Sequence, residues 1–216
     1  LYVDVESKIT SIADLDPDIW LVRALDFPLT PREKAAMMKA AQSDILEIVE
    51  YIRDGQHDYD FIYFDSLMRY ADSLVSFLKY DKGLTGYDVW NAFGEKMKTV
   101  LRALTNLSST EWPKPVHVIG TWGVEIGTDY KGRRREQVVI QGKVVGPWVD
   151  YSFDDVLRLS KEENAETGAV KYIAYTGGTA EFDAKVSSGS VRLPQKMEDP
   201  NLFKVLEKLS KEHSNR

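Results

Sequence analysis

The chain has 216 residues, with 28 Lys and Arg against 34 Asp and Glu, which gives a formal net charge of -6 with neutral histidines. It contains no cysteine, and 43% of its residues are hydrophobic and 11% aromatic. This composition excludes a disulfide scaffold and a thiolate metal site, and it is too apolar for a disordered chain. No run of about 18 apolar residues occurs, so we expect no membrane span, and the lack of cysteine and of a secretory leader favours the cytosol.

Three short apolar runs predict buried strands, at 1–6, 60–65 and 115–121. Periodic apolar residues predict helices between and after them, over about 30–53, 67–80 and 87–107. The first of these helices opens on a capping box, Thr-Pro-Arg-Glu, with proline at the first helical position.

The second half of the chain has shorter elements. A polar, basic stretch from Gly127 to Gln137 predicts a loop, and an apolar run follows it at 138–140. Two further strands are predicted at 153–159 and 170–175, and a last amphipathic helix after Pro200. Strands that alternate with helices predict an α/β fold with a mainly parallel sheet and short C-terminal strands, and the length predicts a single domain over 1–216.

The three predicted strands of the first half each end in a polar residue: Glu6, Asp65 and Thr121. These are candidate chemical groups, because ligands of parallel sheets bind beyond the carboxyl ends of the strands. Four apolar residues followed by Asp65 and Ser66 form a Walker-B-like pattern, in which the carboxylate holds Mg²⁺ beside a nucleotide's phosphates. Glu6 could polarise a water for attack on the γ-phosphate, and Thr121 could hydrogen-bond that phosphate.

Each of these residues also has an ordinary structural interpretation. An Asp at a strand end is often the N-cap of the following helix. Glu6 could be a solvated loop carboxylate, and Thr121 could cap a turn. The functional interpretation depends on all three residues converging on one edge of one sheet.

The only dense basic cluster of the chain is Lys131-Gly132-Arg133-Arg134-Arg135. Its arginines could pair with phosphates without reading bases, which predicts sequence-independent and salt-sensitive nucleic-acid binding. The alternative is a solvated loop. A second candidate is the loop from Tyr80 to Tyr87, where the tyrosines and Lys82 could stack on bases and contact phosphates.

Three segments together resemble the core of RecA-type ATPases: L-Y-V-D-V-E-S at 1–7, Y-D-F-I-Y-F-D-S-L at 59–67 and P-V-H-V-I-G-T at 115–121. The resemblance is closest to the RecA/RadA-like phage nucleotide-binding proteins of single-strand annealing and recombination. The C-terminal pattern is also similar, with Gly142-Lys143, the run 153–159, Asp183-Ala184-Lys185 and Leu193-Pro194.

The resemblance implies ATP and Mg²⁺ as cofactors. It implies that Glu6 activates the attacking water, that Asp65 with Ser66 binds the magnesium nucleotide, and that Thr121 senses the γ-phosphate. Lys185 resembles a lysine that reaches a neighbouring subunit's nucleotide, although no Asn-Arg or Asp-Arg follows it. The basic cluster lies where such proteins place a DNA-binding loop.

The chain departs from the family in its phosphate loop. No G-x-x-x-x-G-K-[ST] pattern occurs, and Gly127 to Arg133 has the glycine spacing but Arg in place of Lys. The family's loop lies upstream of the strand that ends in Glu6, so we expect that segment to precede Leu1.

The expected function is that of an ATPase of phage DNA recombination, acting in the cytoplasm of the bacterial host. The resemblance implies Mg²⁺-dependent hydrolysis, binding of single-stranded DNA, annealing or strand pairing, a homo-oligomer and a single-strand-binding protein as a further partner. The alternatives are a non-hydrolysing DNA-binding or scaffold protein, and a P-loop kinase of small molecules, against which the basic cluster argues.

Overall fold

The computed structural model describes residues 1–4, 19–21, 30, 45–128, 131–140, 145–186 and 193–213. The chain forms two compact units where the sequence analysis expected one domain. The first unit consists of Leu1–Gly123 and Val138–Ser152, and the second of Val124–Gln137 and Phe153–Arg216. Both units are therefore assembled from two separate chain segments.

The first unit contains a four-stranded parallel sheet. Its strands are β1 (Tyr2–Asp4), β2 (Ile19–Leu21), β3 (Phe61–Asp65) and β4 (His117–Gly120), in the order β2-β1-β3-β4. The strands predicted at 60–65 and 115–121 belong to it, and so does the described part of the strand predicted at 1–6. Since the strands are parallel, their carboxyl ends share one edge. The α/β class is confirmed, while a RecA-like core stays a prediction.

Helices of the first unit follow the apolar periodicity of the sequence. Residues 45–53 form α1; α2 is Leu67–Tyr80, α3 is Gly86–Thr105, and a short 3₁₀ turn, Asn106–Ser108, extends α3. In α3 the side chains at spacings of three or four residues are completely buried: Phe93, Met97, Leu101 and Leu104. This stripe supplies much of the unit's core. The part of the predicted helix before residue 45 lies outside the described residues.

Gly55 fixes how α1 ends. Its φ is +69°, in the left-handed region that favours glycine, and a Cβ at this position would lie 2.9 Å from the Cβ of Pro113. A side chain here would therefore be strained in backbone angle and in space. A short helix that sequence analysis missed, α4 (Gly146–Ser152), completes the described part of this unit.

The second unit contains two small sheets and a helix. Strands β5 (Val124–Thr128) and β6 (Arg134–Val138) pair with each other, and β7 (Arg158–Glu163), β8 (Val170–Tyr175) and β9 (Lys196–Glu198) form an antiparallel sheet. Helix α5 (Leu202–His213) buries Val205 and Leu209 against apolar residues of the same unit. None of the helices in the described ranges has both the length and the apolar character needed to cross a bilayer.

Two sequence predictions for this unit were wrong in their element type or bounds. The stretch from Gly127 to Gln137 was expected to be a loop, but most of it lies in β5 and β6. The strand expected at 153–159 is instead β7, which begins at Arg158. Polar strands of this kind lack the apolar alternation on which prediction relies. The strand at 170–175 and the last helix are confirmed.

Candidate functional site

The carboxyl edge of the parallel sheet brings two of the predicted residues together. Asp65 ends β3, and Thr121 follows β4 directly. The Oγ1 of Thr121 donates a hydrogen bond of 2.8 Å to the Oδ1 of Asp65. The predicted convergence of these two residues is therefore present in the structure.

Backbone hydrogen bonds hold Thr121 in place. Its N–H donates to the carbonyl of Phe64 at 3.1 Å, and its own carbonyl accepts from the N–H of Leu67 at 3.2 Å. Thr121 is thus fixed between the end of β3 and the first turn of α2. A hydroxyl held in this way needs little further ordering to contact a ligand at the edge.

Ser66 has a structural function in this arrangement. It is the N-cap of α2, where its Oγ accepts a hydrogen bond of 3.4 Å from the N–H of Arg69, and it is only 5% exposed. The peptide bond between Asp65 and Ser66 is cis. The capping function considered for Asp65 is therefore performed by its neighbour, and the Asp65 carboxylate faces Thr121 instead.

Tyr63 is a third member of the site, which sequence analysis missed. Side chains alternate along a strand, so Tyr63 and Asp65 share one face of β3, while the fully buried Ile62 and Phe64 share the other. Burial raises the pKa of the Tyr63 phenol, the Asp65 charge raises it further, and a hydrogen bond with Thr121 acts in the opposite direction. The phenol is therefore protonated at neutral pH and can serve as a donor. The sequence could have indicated Tyr63 through its position two residues before Asp65, which places both on one face of the strand.

The proposed general base, Glu6, lies outside the described residues. The parallel register places Asp4, two residues earlier, directly opposite Asp65 on the neighbouring strand. A second carboxylate-bearing residue is therefore at the same edge of the sheet by register alone.

Lys185 belongs to the second unit, where its backbone pairs with that of Val156 through hydrogen bonds of 2.9 and 2.8 Å. Its proposed role at a neighbouring subunit's nucleotide stays a prediction. Lys82 follows α2 and is exposed. Its Nζ lies 3.6 Å from a carboxylate oxygen of Asp81 and 5.2 Å from the ring centroid of Phe77.

The side chains of the basic cluster differ in exposure. Lys131, Arg133 and Arg134 are exposed, whereas Arg135 is half-buried and its guanidinium pairs with Asp183. Alternation along β6 places Arg134 and Arg135 on opposite faces. Sequence analysis treated all four residues alike, but the structure gives Arg135 a bonding partner within its own unit.

A second exposed surface follows α2. Tyr80 is 55% exposed and Tyr87 is 75% exposed, at the two ends of the loop that contains Lys82. Such aromatic rings beside a cation can stack on bases of a single strand. The second candidate loop from the sequence thus has the exposure that nucleic-acid contact requires.

The fit of a magnesium ion depends on Asp65. Within the ranges that the structure describes, no three His, Asp or Glu side chains gather into a metal site. Mg²⁺ is nevertheless usually held by one or two carboxylates together with water and phosphate oxygens. A single carboxylate at the carboxyl edge of a parallel sheet fits that mode of binding.

These features define an α/β protein with a polar site at the carboxyl edge of a parallel sheet, the usual place for a ligand in this class. No family model matches the chain, and no curated protein or solved structure matches it either. The chemistry of the site residues therefore carries the functional inference.

Proposed function

We propose that the protein binds ATP and Mg²⁺ at the carboxyl edge of the parallel sheet, hydrolyses the nucleotide, and binds single-stranded DNA to promote annealing or strand pairing in phage recombination. The observation that carries this proposal is the 2.8 Å hydrogen bond between Thr121 and Asp65, at the ends of neighbouring parallel strands. This bond supports the proposal that Asp65 and Thr121 belong to one site, since a carboxylate and a hydroxyl are both suited to contact a magnesium nucleotide.

Each residue has a distinct role in this proposal. Asp65 offers the carboxylate for Mg²⁺, which would supply charge stabilisation of the phosphates. Thr121 places a hydroxyl donor beside that carboxylate, and Tyr63 adds a phenol that stays protonated. Glu6 would accept the proton of the attacking water as a general base.

The proposed DNA surface consists of the exposed basic residues 131–134 and the loop 80–87. The first follows Thr121 along the chain after strand β5, and the second follows the helix that begins after Asp65. Both candidate DNA segments are therefore connected through the backbone to the proposed nucleotide site. Contacts from arginine and lysine to phosphates give binding that is independent of sequence.

The test compares Mg²⁺-dependent ATP turnover in the wild type, Asp65→Asn and Thr121→Val. The matched control is Asp88→Asn, which removes the same charge from the exposed first turn of α3. We expect Asp65→Asn to reduce turnover by about a hundredfold, in the range seen when a charged catalytic contact is removed. We expect Thr121→Val to reduce it by about tenfold, as for a neutral hydrogen bond. Equal turnover in Asp65→Asn and the control would refute the ATPase proposal.

A second variant separates the proposed role of Glu6 as a general base from that of Asp65 as a Mg²⁺ ligand. We expect Glu6→Gln to retain nucleotide binding and to lose hydrolysis, because an amide cannot accept the water's proton. Nucleotide affinity and single-turnover hydrolysis should be measured on the same preparation. Unchanged hydrolysis would remove Glu6 from the mechanism.

A second candidate function is a DNA-binding protein without nucleotide turnover. It is favoured by one observation, the absence of a G-x-x-x-x-G-K-[ST] pattern from the 216 residues. Salt-sensitive binding of single-stranded DNA with no Mg²⁺-dependent ATP hydrolysis would support this candidate over the first.

A further inference from the structure

An open cavity of about 510 Å³ lies in the first unit, away from the residues of the sheet edge. It is lined by the end of α1 and by the end of α3 with its 3₁₀ extension, through Arg53, Arg102, Ala103, Thr105 and Asn106. The two arginines provide its only charged side chains among the lining residues. Its volume lies within the range of small-molecule sites, which is about 300–1,000 Å³.

Tryptophan rings hold both guanidinium groups. The Cζ of Arg53 lies 4.5 Å from the ring centroid of Trp112, and the Cζ of Arg102 lies 5.5 Å from that of Trp148. The Trp112 ring is itself fixed, because its Nε1 donates a hydrogen bond of 2.7 Å to the carbonyl of Asn106. The two cations are therefore positioned before any ligand binds, which lowers the entropic cost of binding.

The positive charge of the cavity is not neutralised by the part of the chain that the structure describes. There, neither Arg53 nor Arg102 forms an ion pair with a carboxylate. The Nε of Arg53 is in addition buried and has no hydrogen-bond partner among those residues. A buried donor without an acceptor is unfavourable, and two like charges that face one cavity repel each other.

Ordinary structural effects explain only part of this arrangement. Each arginine lies near the C-terminal end of a helix, where a cation is favoured by the helix dipole, and stacking on tryptophan is favourable in its own right. Neither effect supplies an acceptor for the buried Nε of Arg53. An oxyanion bound between the two guanidinium groups would supply that acceptor and would offset their repulsion.

We infer that this cavity binds a phosphate group through Arg53 and Arg102. The planar guanidinium presents parallel N–H donors that match the spacing of phosphate oxygens. No carboxylate among the lining residues occupies these donors. The phosphate belongs either to a small molecule or to the backbone of a nucleic-acid strand. The cavity does not include Asp65 or Thr121, so the inference does not depend on the proposed nucleotide site.

The test uses inorganic pyrophosphate without Mg²⁺, with binding measured by isothermal titration calorimetry at low ionic strength. The variants are Arg53→Gln, Arg102→Gln and the double variant. The matched control is Lys79→Gln, because Lys79 is also a cation held over a tryptophan, 5.4 Å from the ring centroid of Trp90, but does not line the cavity. Asp88→Asn, an exposed carboxylate in the first turn of α3, serves as the control for an unrelated change of charge.

We expect each single variant to weaken pyrophosphate binding about tenfold, as for the loss of one charge-assisted contact, and the double variant to abolish it. Lys79→Gln and Asp88→Asn should bind as the wild type does. Wild-type affinity in the double variant would overturn the inference, and so would equal weakening by Lys79→Gln, which would indicate a general charge effect.

Circular dichroism and thermal unfolding must show that the variants are folded. If the double variant does not fold, Arg102→Gln decides the question alone, because Arg102 is exposed and its replacement leaves the core intact. The source of the phosphate is identified by competition with an oligodeoxythymidylate. Displacement of pyrophosphate from the wild type assigns the site to a strand, and no displacement assigns it to a small molecule.

Discussion

Asp65 and Ser66 are adjacent residues with separable roles. We predict that Ser66→Ala lowers the free energy of unfolding by about 1 kcal/mol, because α2 loses its N-cap, and leaves nucleotide affinity unchanged. Chemical denaturation and nucleotide titration measure the two effects. Loss of nucleotide affinity at unchanged stability would instead show that Ser66 contacts the nucleotide, as the family resemblance implied.

Glu136 gives the second unit a stability that depends on pH. The hydrogen bond from Arg158 lowers the pKa of the Glu136 carboxyl from its ordinary 4.5, and the Arg158 charge adds to this, against the opposing effect of burial. The folded state therefore binds this proton less readily than the unfolded state. The stabilisation is present above about pH 4.5 and is lost as the pH falls through the lowered pKa.

We predict that Glu136→Gln removes this acid-dependent step and lowers stability at pH 7 by about 1.5–3 kcal/mol, the typical value of a hydrogen bond to a charged group. Urea unfolding at pH 7 and at about pH 3.5 measures it. The control is Glu163→Gln in β7, an exposed carboxylate without an ion pair among the described residues. Identical pH profiles for Glu136→Gln and the wild type would contradict the prediction.

At the scale of elements, Arg133 precedes β6 and Arg134 begins it, and both are exposed, whereas the Arg135 guanidinium pairs with Asp183. We predict that replacing Arg133 and Arg134 by alanine weakens single-strand binding equally at all sequences. The dependence on salt should flatten by roughly 1.4 units of log-log slope, since each phosphate contact contributes about 0.7. A salt titration of a fluorescent oligonucleotide measures the slope.

Arg135→Ala provides the comparison, because it removes the arginine next to Arg134 in β6. We expect it to lower stability and to leave the salt slope nearly unchanged, since its guanidinium is already paired with Asp183. An equal change of slope in both variants would show that the pairing with Asp183 does not withhold Arg135 from DNA.

Local sequence patterns were sufficient for some elements and insufficient for others. Helices α2 and α3 were predicted within one or two residues, because their apolar residues recur with the helical period and are buried. Strand β6 was missed because its residues are polar and are held by partners far along the chain: Arg135 pairs with a residue 48 positions later, and Glu136 with one 22 positions later. Periodicity contains no information about such pairs.

The same reasoning applies to the candidate sites. The meeting of Asp65 and Thr121 could be predicted, because parallel strands bring their carboxyl ends together. The stacking of Arg53 on Trp112 could not, since it depends on how the ends of α1 and α3 pack in space. The cavity lined by Arg53 and Arg102 could therefore be found only in the structure.

At the scale of the whole molecule, the buried stripe of α3 belongs to the first unit alone. We predict that Phe93→Ala lowers that unit's stability by about 3–5 kcal/mol, because Phe93 is completely buried and its removal leaves a cavity. Hydrogen exchange should accelerate in α2 and α3, while β7 and β8 keep their protection. Equal acceleration in both units would show that they unfold together.

The interleaving of the two units sets an order for folding during synthesis. The ribosome completes β5 and β6 before residues 139–152, which the first unit still needs, and before Arg158 and Asp183, which pair with Glu136 and Arg135 of β6. The nascent β5–β6 segment therefore waits without its charged partners until the C-terminal segment emerges. The first unit can close once residue 152 has left the exit tunnel, and the second only after most of the remaining chain has followed.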